Sequence, residues 1–280
     1  MVEQDFISTL KDFRLQEGSV KWESPSNIAL IKYWGKLPNQ VPANPSISFT
    51  LSNCKTITEL TFEKKSDTDI LSFDVYFEGE RNEAFKPKIQ TFFQRIESYV
   101  PFIKHYHFKI DTKNTFPHSS GIASSASGMS ALALCLMDME RLLSGGVIGD
   151  EYFNEKASFL ARLGSGSACR SIEGEVVIWG KNESFSDSSD LYGVKFNEGL
   201  HSNFKNYQDA ILLVDKGEKQ VSSTIGHKLM EGHPFAKLRF NQAHDNLAAI
   251  KEVLISGDLK RFIEIVESEA LTLHAMMMTS

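Results

Sequence analysis

Apolar and polar residues alternate through much of the first half of the chain, at the spacing of half-buried β-strands. This pattern predicts strands over residues 46–51, 56–62, 71–77 and 105–110. Apolar residues at Ile122, Ala126, Met129, Ala133 and Leu136 then step by four and three, which predicts a helix that runs to about residue 143. Residues 176–179, Val-Val-Ile-Trp, predict a further strand. We therefore expect a mixed sheet packed against helices, an α/β chain of the two-layer α+β type.

The pattern changes after residues 181–190, whose Ser, Asp and Asn content is typical of a surface loop. Residues 209–215 predict a buried strand, and helices are predicted near 223–255, with a Gly/Pro break, and over 259–278. We expect two domains, residues 1–200 and 201–280. The second has one predicted strand for two helices, and the chain ends inside an apolar helical run. We therefore expect that the C-terminal domain is truncated and that the natural protein continues past Ser280.

Composition narrows the classes of protein that fit this pattern. The chain has 280 residues with 30 basic and 36 acidic side chains, and its net charge of -6 opposes nonspecific binding to nucleic acid or to an anionic membrane surface. No stretch approaches the roughly 20 apolar residues of a membrane span. The N-terminal segment lacks the apolar core of a secretory signal, so we expect a cytoplasmic protein. Three scattered cysteines without a C-x-x-C pair favour free thiols over a disulfide framework or a zinc site.

The most informative stretch is N-T-F-P-H-S-S-G-I-A-S-S-A-S-G, residues 114–128, which follows a predicted strand and opens the long helix. Small residues let the backbone approach a ligand, and the N–H groups and dipole of a helix start favour an anion. The hydroxyls of Ser124 and Ser125 could reach phosphate oxygens or a magnesium ion. No Walker lysine follows the glycines. The alternative is a serine-rich helix cap that binds no ligand.

Two further stretches place cations beside small residues. G-S-G-S-A-C-R-S, residues 164–171, ends in Arg170, whose planar guanidinium suits a carboxylate or phosphate. N-I-A-L-I-K-Y-W-G-K, residues 27–36, places Lys32, Tyr33 and Lys36 at the end of an apolar strand, where they could surround an anion. The alternatives are a turn with a surface arginine and a strand end with solvated lysines.

Taken together, these three stretches resemble the diphosphomevalonate decarboxylase family of the GHMP kinase superfamily. The K-Y-W-G-K and G-S-G-S-A-C-R-S strings distinguish this family from other members of the superfamily. The resemblance implies an N-terminal domain with a left-handed β-α-β crossover, a ferredoxin-like C-terminal domain and an active site in the cleft between them. It also implies a reaction: ATP phosphorylates the tertiary 3-hydroxyl of mevalonate 5-diphosphate, and loss of phosphate and carbon dioxide then gives isopentenyl diphosphate.

The resemblance also implies roles for individual residues, with ATP and Mg²⁺ as cofactors and mevalonate diphosphate as substrate. Arg170 and the Ala29 backbone correspond to the carboxylate clamp, and we take Arg170 and Lys32 as the candidate catalytic residues. The residues that correspond to substrate binding are Tyr33, Lys36, Ser165, Ser167, Ser222 and Ser223. The residues of the corresponding ATP loop are Pro117, Ser120, Gly121, Ser124 and Ser125, with Ser125 also the candidate magnesium ligand. The family commonly forms homodimers.

The chain departs from the family pattern at three points. Thr224 and His227 stand where the family commonly has arginine and methionine, and Glu173-Gly-Glu175 replaces a usual Gly-Gly pair. The D-A-G-P-N stretch that carries the family's catalytic aspartate has no counterpart in these 280 residues. The open alternatives are a superfamily kinase of mevalonate or its phosphate that does not decarboxylate, and a noncatalytic nucleotide-binding protein.

Overall fold

The structure is a computed structural model that describes residues 1–68, 70–117, 121–212 and 223–280, apart from the side chains of Ser223 and Thr224. The chain divides into two compact units. The first comprises Met1–Ser26 and Ser52–Ile172, and the second comprises Asn27–Leu51 and Glu173–Ser280. The domain boundary near residue 200 that the sequence suggests stays a prediction.

Along the described residues four strands come first, four helices come last, and strands and helices are mixed between them. The strands are β1 Glu17–Ile31, β2 Ser46–Lys64, β3 Ser72–Phe77, β4 Glu80–Arg81, β5 Tyr106–Asn114, β6 Val176–Trp179 and β7 Val194–Lys195. The helices are α1 Lys86–Ile96, α2 Ser124–Leu143, α3 Asp150–Gly164, α4 Ser202–Lys205, α5 Ser223–Lys228, α6 Ala236–Ser256 and α7 Leu259–Met278. A 3₁₀ helix, Gly166–Ser171, follows α3. The α+β class predicted from the sequence is confirmed.

The first unit contains a mixed sheet. Strand β3 pairs antiparallel with β4 and parallel with β5, and β5 pairs antiparallel with residues 56–64 of β2. The predicted strands 71–77 and 105–110 correspond to β3 and β5. The two strands predicted over 46–51 and 56–62 form one continuous strand, because the polar residues between them keep an extended backbone and do not turn.

Helix α2 is the buried centre of the first unit. Thirteen of its 20 residues are buried, because alanine, leucine and methionine occupy most of its faces, and it packs against α3. The helix ends before Gly145 and Gly146, whose positive φ angles of 71° and 85° terminate it. It begins two residues later than the apolar spacing predicts, because Ala123 is in a left-handed conformation.

The second unit packs a helical hairpin against the other part of the sheet. Strand β6 pairs antiparallel with residues 46–49 of β2 and with β7. Helix α6 ends at Gly257, with φ 80°, and α7 begins at once because the Asp258 carboxylate accepts the Arg261 N–H at 3.0 Å. The core of this unit is apolar and includes Leu30, Ile31, Ile47, Val176, Ile178, Phe204, Leu247, Ile250, Leu254, Phe262 and Ile265.

The strand predicted over residues 209–215 is wrong for its first four residues. Residues 209–212 have no strand structure and are exposed, with Leu212 85% exposed, and residues 213–215 lie outside the described ranges. A strand needs a neighbour that completes its hydrogen bonds, and the described strands pair only with one another. Within those same ranges, no helix combines the length and apolar character needed to cross a membrane.

Candidate functional site

The start of α2 lies where the sequence predicts an anion site. Ala123 precedes the helix with φ 49° and ψ 41°, a left-handed conformation that costs an L-residue roughly 1–2 kcal/mol. Ser26 Oγ donates a hydrogen bond to the Ile122 carbonyl oxygen and thereby holds this turn. An alanine at the N-cap has no oxygen with which to accept the first-turn N–H groups. A phosphate oxygen could take that place.

A cavity of about 150 Å³ lies beside this helix start. Its apolar lining includes Phe77, Phe85, Ile89, Ile110, Met129 and Leu132, and its polar lining includes Lys88, Ser124, Ser125, Asn114, Thr56 and Thr58. Lys88 Nζ donates to Ser125 Oγ at 2.7 Å, which places an ammonium directly at the helix start. Apolar walls beside a cation and hydroxyls suit a ligand with an aromatic base and phosphates.

Three other residues of the expected ATP loop are less informative about nucleotide binding. Pro117 and Gly121 are exposed, and Gly121 has a positive φ of 84°. Ser120 lies outside the described residues. The sequence did not indicate Lys88, because a lysine in a charged amphipathic helix is usually solvated and only its contact with Ser125 distinguishes it.

The 3₁₀ turn that carries Arg170 is held by three serine hydroxyls from other elements of the first unit. Ser130 Oγ donates to the Ala168 carbonyl at 2.7 Å, Ser158 Oγ to Cys169 at 2.8 Å, and Ser24 Oγ to Ser171 at 2.7 Å. These serines lie on α2, α3 and β1 and are buried. They therefore fix the backbone on both sides of Arg170. No pattern in the sequence indicates these serines, because isolated serines in apolar segments are common.

Arg170 is buried, with 2% of the residue exposed, so the alternative of a surface arginine is wrong. Ser165 and Ser167 are half-buried in the same turn. Burial raises the pKa of the adjacent Cys169 thiol to about 12, although the positive charges of Arg170 and Arg162 oppose the shift. Cys169 therefore stays a neutral thiol at physiological pH and is unsuited to be a nucleophile.

In the second unit, Lys32, Tyr33 and Lys36 follow directly after β1, as predicted. Lys32 and Lys36 are half-buried, and Lys32 Nζ donates to the Ala29 carbonyl at 2.9 Å, so these lysines are not simply solvated. Gly35 has a φ of 99°, and a side chain there would crowd Ala43, 3.2 Å from an added Cβ. The glycine in K-Y-W-G-K is therefore required by a tight backbone.

His227 joins helix α5 to this segment. Its imidazole lies 4.6 Å from the Tyr33 ring and 4.5 Å from the Trp34 ring, and its Nδ1 accepts the Gly35 N–H at 3.1 Å. The Tyr33 ring also contacts Trp179 edge-on at 4.7 Å. The position where the sequence departs from methionine to histidine thus contacts the candidate substrate segment. Ser223 begins α5, and Ser222 lies outside the described residues.

Helices α6 and α7 contribute a buried ion pair that the sequence did not single out. Glu269 and Arg239 bond each other and also contact the backbone of Lys32. The spacing of residues in α7 could have indicated Glu269, because it lies on the apolar stripe of that helix with Phe262, Ile265 and Leu273. A charged residue on an apolar stripe is buried and requires a partner.

Residues 24–190 match a known domain, described as the diphosphomevalonate decarboxylase-like N-terminal domain. The match covers more than half of the chain and contains all three of the stretches described above. The chain belongs to the diphosphomevalonate decarboxylase-like family. Its place in the GHMP kinase superfamily, which the resemblance implied, is confirmed by the related sequences and structures.

Similar proteins carry the same description. The diphosphomevalonate decarboxylase of Gibberella zeae is 30% identical over 272 residues, which cover 90% of this chain and 66% of that protein. The mevalonate diphosphate decarboxylase of Staphylococcus aureus superposes with a TM-score of 0.76 at 28% identity, over 95% of this chain and 76% of that one. The structure of MDDEF in complex with MVAPP, AMPPCP and magnesium superposes with a TM-score of 0.73 at 28% identity. The superposition covers 94% of this chain and 76% of that one. The chain spans 64% to 66% of the length of the related enzymes from Gibberella zeae, Ganoderma lucidum and Aspergillus fumigatus.

Proposed function

We propose that this protein uses ATP to decarboxylate mevalonate 5-diphosphate and forms isopentenyl diphosphate. One observation carries the proposal: the matched segment keeps both K-Y-W-G-K and G-S-G-S-A-C-R-S intact. Buried side chains hold the backbone of each string, which is the rigid support that a binding site needs. The relatives named for this activity support it further.

The start of α2 and its adjoining cavity form the proposed ATP site. The related MDDEF complex holds AMPPCP, an ATP analogue, together with magnesium. In this chain, Lys88 and the first-turn N–H groups of α2 would hold phosphate oxygens, and the apolar part of the cavity would hold the base. Bound ATP would supply the phosphoryl group that turns a tertiary hydroxyl into a leaving group.

Magnesium fits this site through oxygen ligands. The described residues contain no cluster of three or more His, Cys, Asp or Glu side chains able to hold a metal ion. Mg²⁺ commonly keeps several waters and is held mainly by the phosphates of its nucleotide. The hydroxyl of Ser125 would therefore be sufficient as the protein's contribution, with Ser124 beside it.

Arg170 and the Ala29 backbone are the proposed carboxylate clamp. The guanidinium would bind both carboxylate oxygens and hold the carbon–carbon bond in line for cleavage. Lys32 is the second proposed catalytic cation, with its ammonium tethered to the Ala29 carbonyl. The proposed diphosphate-binding residues are Tyr33, Lys36, Ser165, Ser167, Ser222 and Ser223.

Product analysis tests the proposal. The protein expressed from its complete reading frame is incubated with mevalonate 5-diphosphate and magnesium-ATP, and carbon dioxide, ADP, phosphate and isopentenyl diphosphate are measured. We expect all four in equal amounts. ADP with a phosphorylated acid, but without carbon dioxide, would instead identify a kinase. Nucleotide binding without ADP formation would identify a noncatalytic protein.

A kinase that does not decarboxylate its product is the second candidate function, because the chain differs from the family pattern at one substrate-binding position. Thr224 replaces the arginine that the family commonly has on the diphosphate, and one less cation there favours mevalonate or its monophosphate as the acceptor. The same assay with mevalonate and mevalonate phosphate distinguishes the two functions. We also propose that the protein is a cytoplasmic homodimer, which sedimentation and cell fractionation would test.

A further inference from the structure

Helices α6 and α7 are joined by an ion pair that is almost completely buried. The Arg239 Nη2 atom lies 2.6 Å from Glu269 Oε2, and the two side chains are 1% and 0% exposed. Asn246 Nδ2 donates to the other carboxylate oxygen, Oε1, at 2.8 Å. Both oxygens of Glu269 are therefore bonded, as a buried carboxylate requires.

The same two side chains bind both backbone polar groups of one residue, Lys32. Glu269 Oε2 accepts the Lys32 N–H at 3.1 Å, and Arg239 Nη2 donates to the Lys32 carbonyl oxygen at 3.2 Å. Lys32 is the first residue after β1, at the point where the strand's regular hydrogen bonding ends. The ion pair thus bonds the backbone at the residue where the hydrogen bonds of the strand end.

Two more side chains continue this arrangement along the segment. Asn44 donates to the Lys32 carbonyl at 3.1 Å and accepts the Trp34 N–H at 3.1 Å. His227 accepts the Gly35 N–H at 3.1 Å. Residues 32–35 are neither helix nor strand. Side chains therefore bond the backbone from Lys32 to the Gly35 N–H, and backbone pairing resumes where the Gly35 carbonyl accepts the Ala43 N–H at 3.3 Å.

We infer that the Glu269–Arg239 pair positions residues 32–36 and thereby sets the affinity of the protein for its anionic substrate. A buried ion pair is rarely more stabilising than apolar residues of similar volume, so stability alone does not explain its presence. Its contacts with the N–H and the carbonyl oxygen of Lys32, which belong to two successive peptide groups, fix an orientation that apolar residues could not fix. The identity of the substrate in this inference rests on the proposed function.

The chain offers a matched control for this pair. Lys156 and Glu140, on α3 and α2, form a second buried ion pair of 2.7 Å whose side chains are 0% and 4% exposed. It belongs to the first unit, and no hydrogen bond joins it to residues 32–36 in the part of the chain that the structure describes. The same chemical change can therefore be made at both pairs.

The test compares Glu269→Gln/Arg239→Met with Glu140→Gln/Lys156→Met, because each double variant removes a buried pair without leaving an unpaired charge. Hydrogen exchange measures the amides of residues 32–36, and calorimetry measures binding of mevalonate 5-diphosphate and of magnesium-ATP.

For the Glu269→Gln/Arg239→Met variant we expect amide exchange about tenfold faster or more, and affinity for mevalonate 5-diphosphate about tenfold to hundredfold weaker. ATP affinity should stay within about twofold of wild type. For the control we expect wild-type values in all three measurements.

A milder variant covers the case in which the first does not fold. Arg239→Lys keeps the charge pair, but a flexible ammonium does not hold the fixed direction from which the Nη2 atom of the planar guanidinium donates to both Glu269 and the Lys32 carbonyl. It should show the same changes at smaller size.

Three outcomes bear on the inference in different ways. Unchanged exchange and substrate affinity in both Glu269–Arg239 variants would overturn it. Equal loosening by the control double variant would also overturn it, because the pair would then act only through global stability. If wild-type protein did not bind mevalonate 5-diphosphate at all, the proposed function would fail. The exchange measurement would still decide whether the pair holds the segment.

Discussion

Ser130 Oγ donates a 2.7 Å hydrogen bond to the carbonyl oxygen of Ala168 and so ties the helix that begins at Ser124 to the turn that carries Arg170. Both groups are buried, so neither can exchange its partner for bulk water. The bond connects the proposed nucleotide loop to the turn that carries Arg170, and both lie within one compact unit.

Ser130→Ala is therefore expected to leave the Ala168 carbonyl buried without this partner, and to lower the free energy of unfolding by about 1–3 kcal/mol. Urea unfolding measures the loss. Ser144→Ala is the control, because Ser144 Oγ bonds the Arg141 carbonyl at the end of the same helix and does not contact the turn. A loss of equal size in both variants would contradict a special role for the Ser130 bond.

Arg170→Ala is expected to reduce carbon dioxide release while leaving ATP binding nearly intact, because in the proposed site the guanidinium would bind the substrate carboxylate and not the nucleotide. Loss of a charge-assisted bond to a buried anion costs about 2–4 kcal/mol, or roughly thirtyfold to thousandfold in kcat/KM. Steady-state kinetics measures the ratio, and Arg141→Ala, which removes a pair with Asp150, is the control. A wild-type rate for Arg170→Ala would remove Arg170 from the site.

Lys88→Ala and Ser125→Ala are expected to weaken magnesium-ATP binding about tenfold, because each removes one partner of the Lys88–Ser125 contact at the cavity. Lys86→Ala is the matched control. Lys86 lies on the same helix but pairs with Asp74 and Glu83 and does not line the cavity. Nucleotide titration that found the larger loss with Lys86→Ala would place the nucleotide elsewhere.

The Lys156–Glu140 pair predicts a pH dependence of stability. Burial lowers the pKa of Lys156 from its ordinary 10.5, and the Glu140 charge only partly opposes this effect. At pH values between the pKa of Lys156 in the folded protein and 10.5, the unfolded chain binds more protons than the folded chain. The contribution of Lys156 to the free energy of unfolding therefore rises with pH over this range. Below the folded pKa the burial penalty is present in full.

The measurement compares wild type with Glu140→Gln/Lys156→Met by urea unfolding at several pH values. The wild type should gain stability relative to the variant as the pH approaches 10.5 and show a constant difference near neutrality. Single Glu140→Gln should lose about 3–5 kcal/mol, because it leaves an uncompensated ammonium buried. A difference that does not change with pH would mean that Lys156 titrates normally in the folded protein.

Local patterns predicted the elements whose side chains carry a single clear period. Strand β6 has the predicted bounds, and α2 ends at the predicted Leu143. Residues 52–55 misled the interpretation of β2, because a short polar run indicates a turn equally well. For residues 209–212 the error was the reverse: their apolar pattern predicted a strand that is not formed, since hydrophobicity alone does not supply a partner strand.

Motifs predicted the segments of the candidate site, but not the groups that support them. K-Y-W-G-K and the Arg170 turn are visible in the sequence because unusual residues stand side by side. Glu269 lies more than 200 positions after Lys32, and its contact with that backbone depends on how α7 packs, which no local pattern encodes. Ser24, Ser130 and Ser158 are similarly distant from one another and converge only in the folded unit.

The burial of Cys169 has a consequence for oxidative damage. With its pKa raised to about 12, Cys169 carries almost no thiolate at pH 7, and the thiolate is the form that peroxides and alkylating agents attack. The turn that holds Arg170 is thus chemically protected although it contains a cysteine next to the arginine. Cys135 is shielded in the same way, with a pKa also raised to about 12. Oxidation of the thiols of this protein should therefore begin at Cys54, the least buried of its three cysteines.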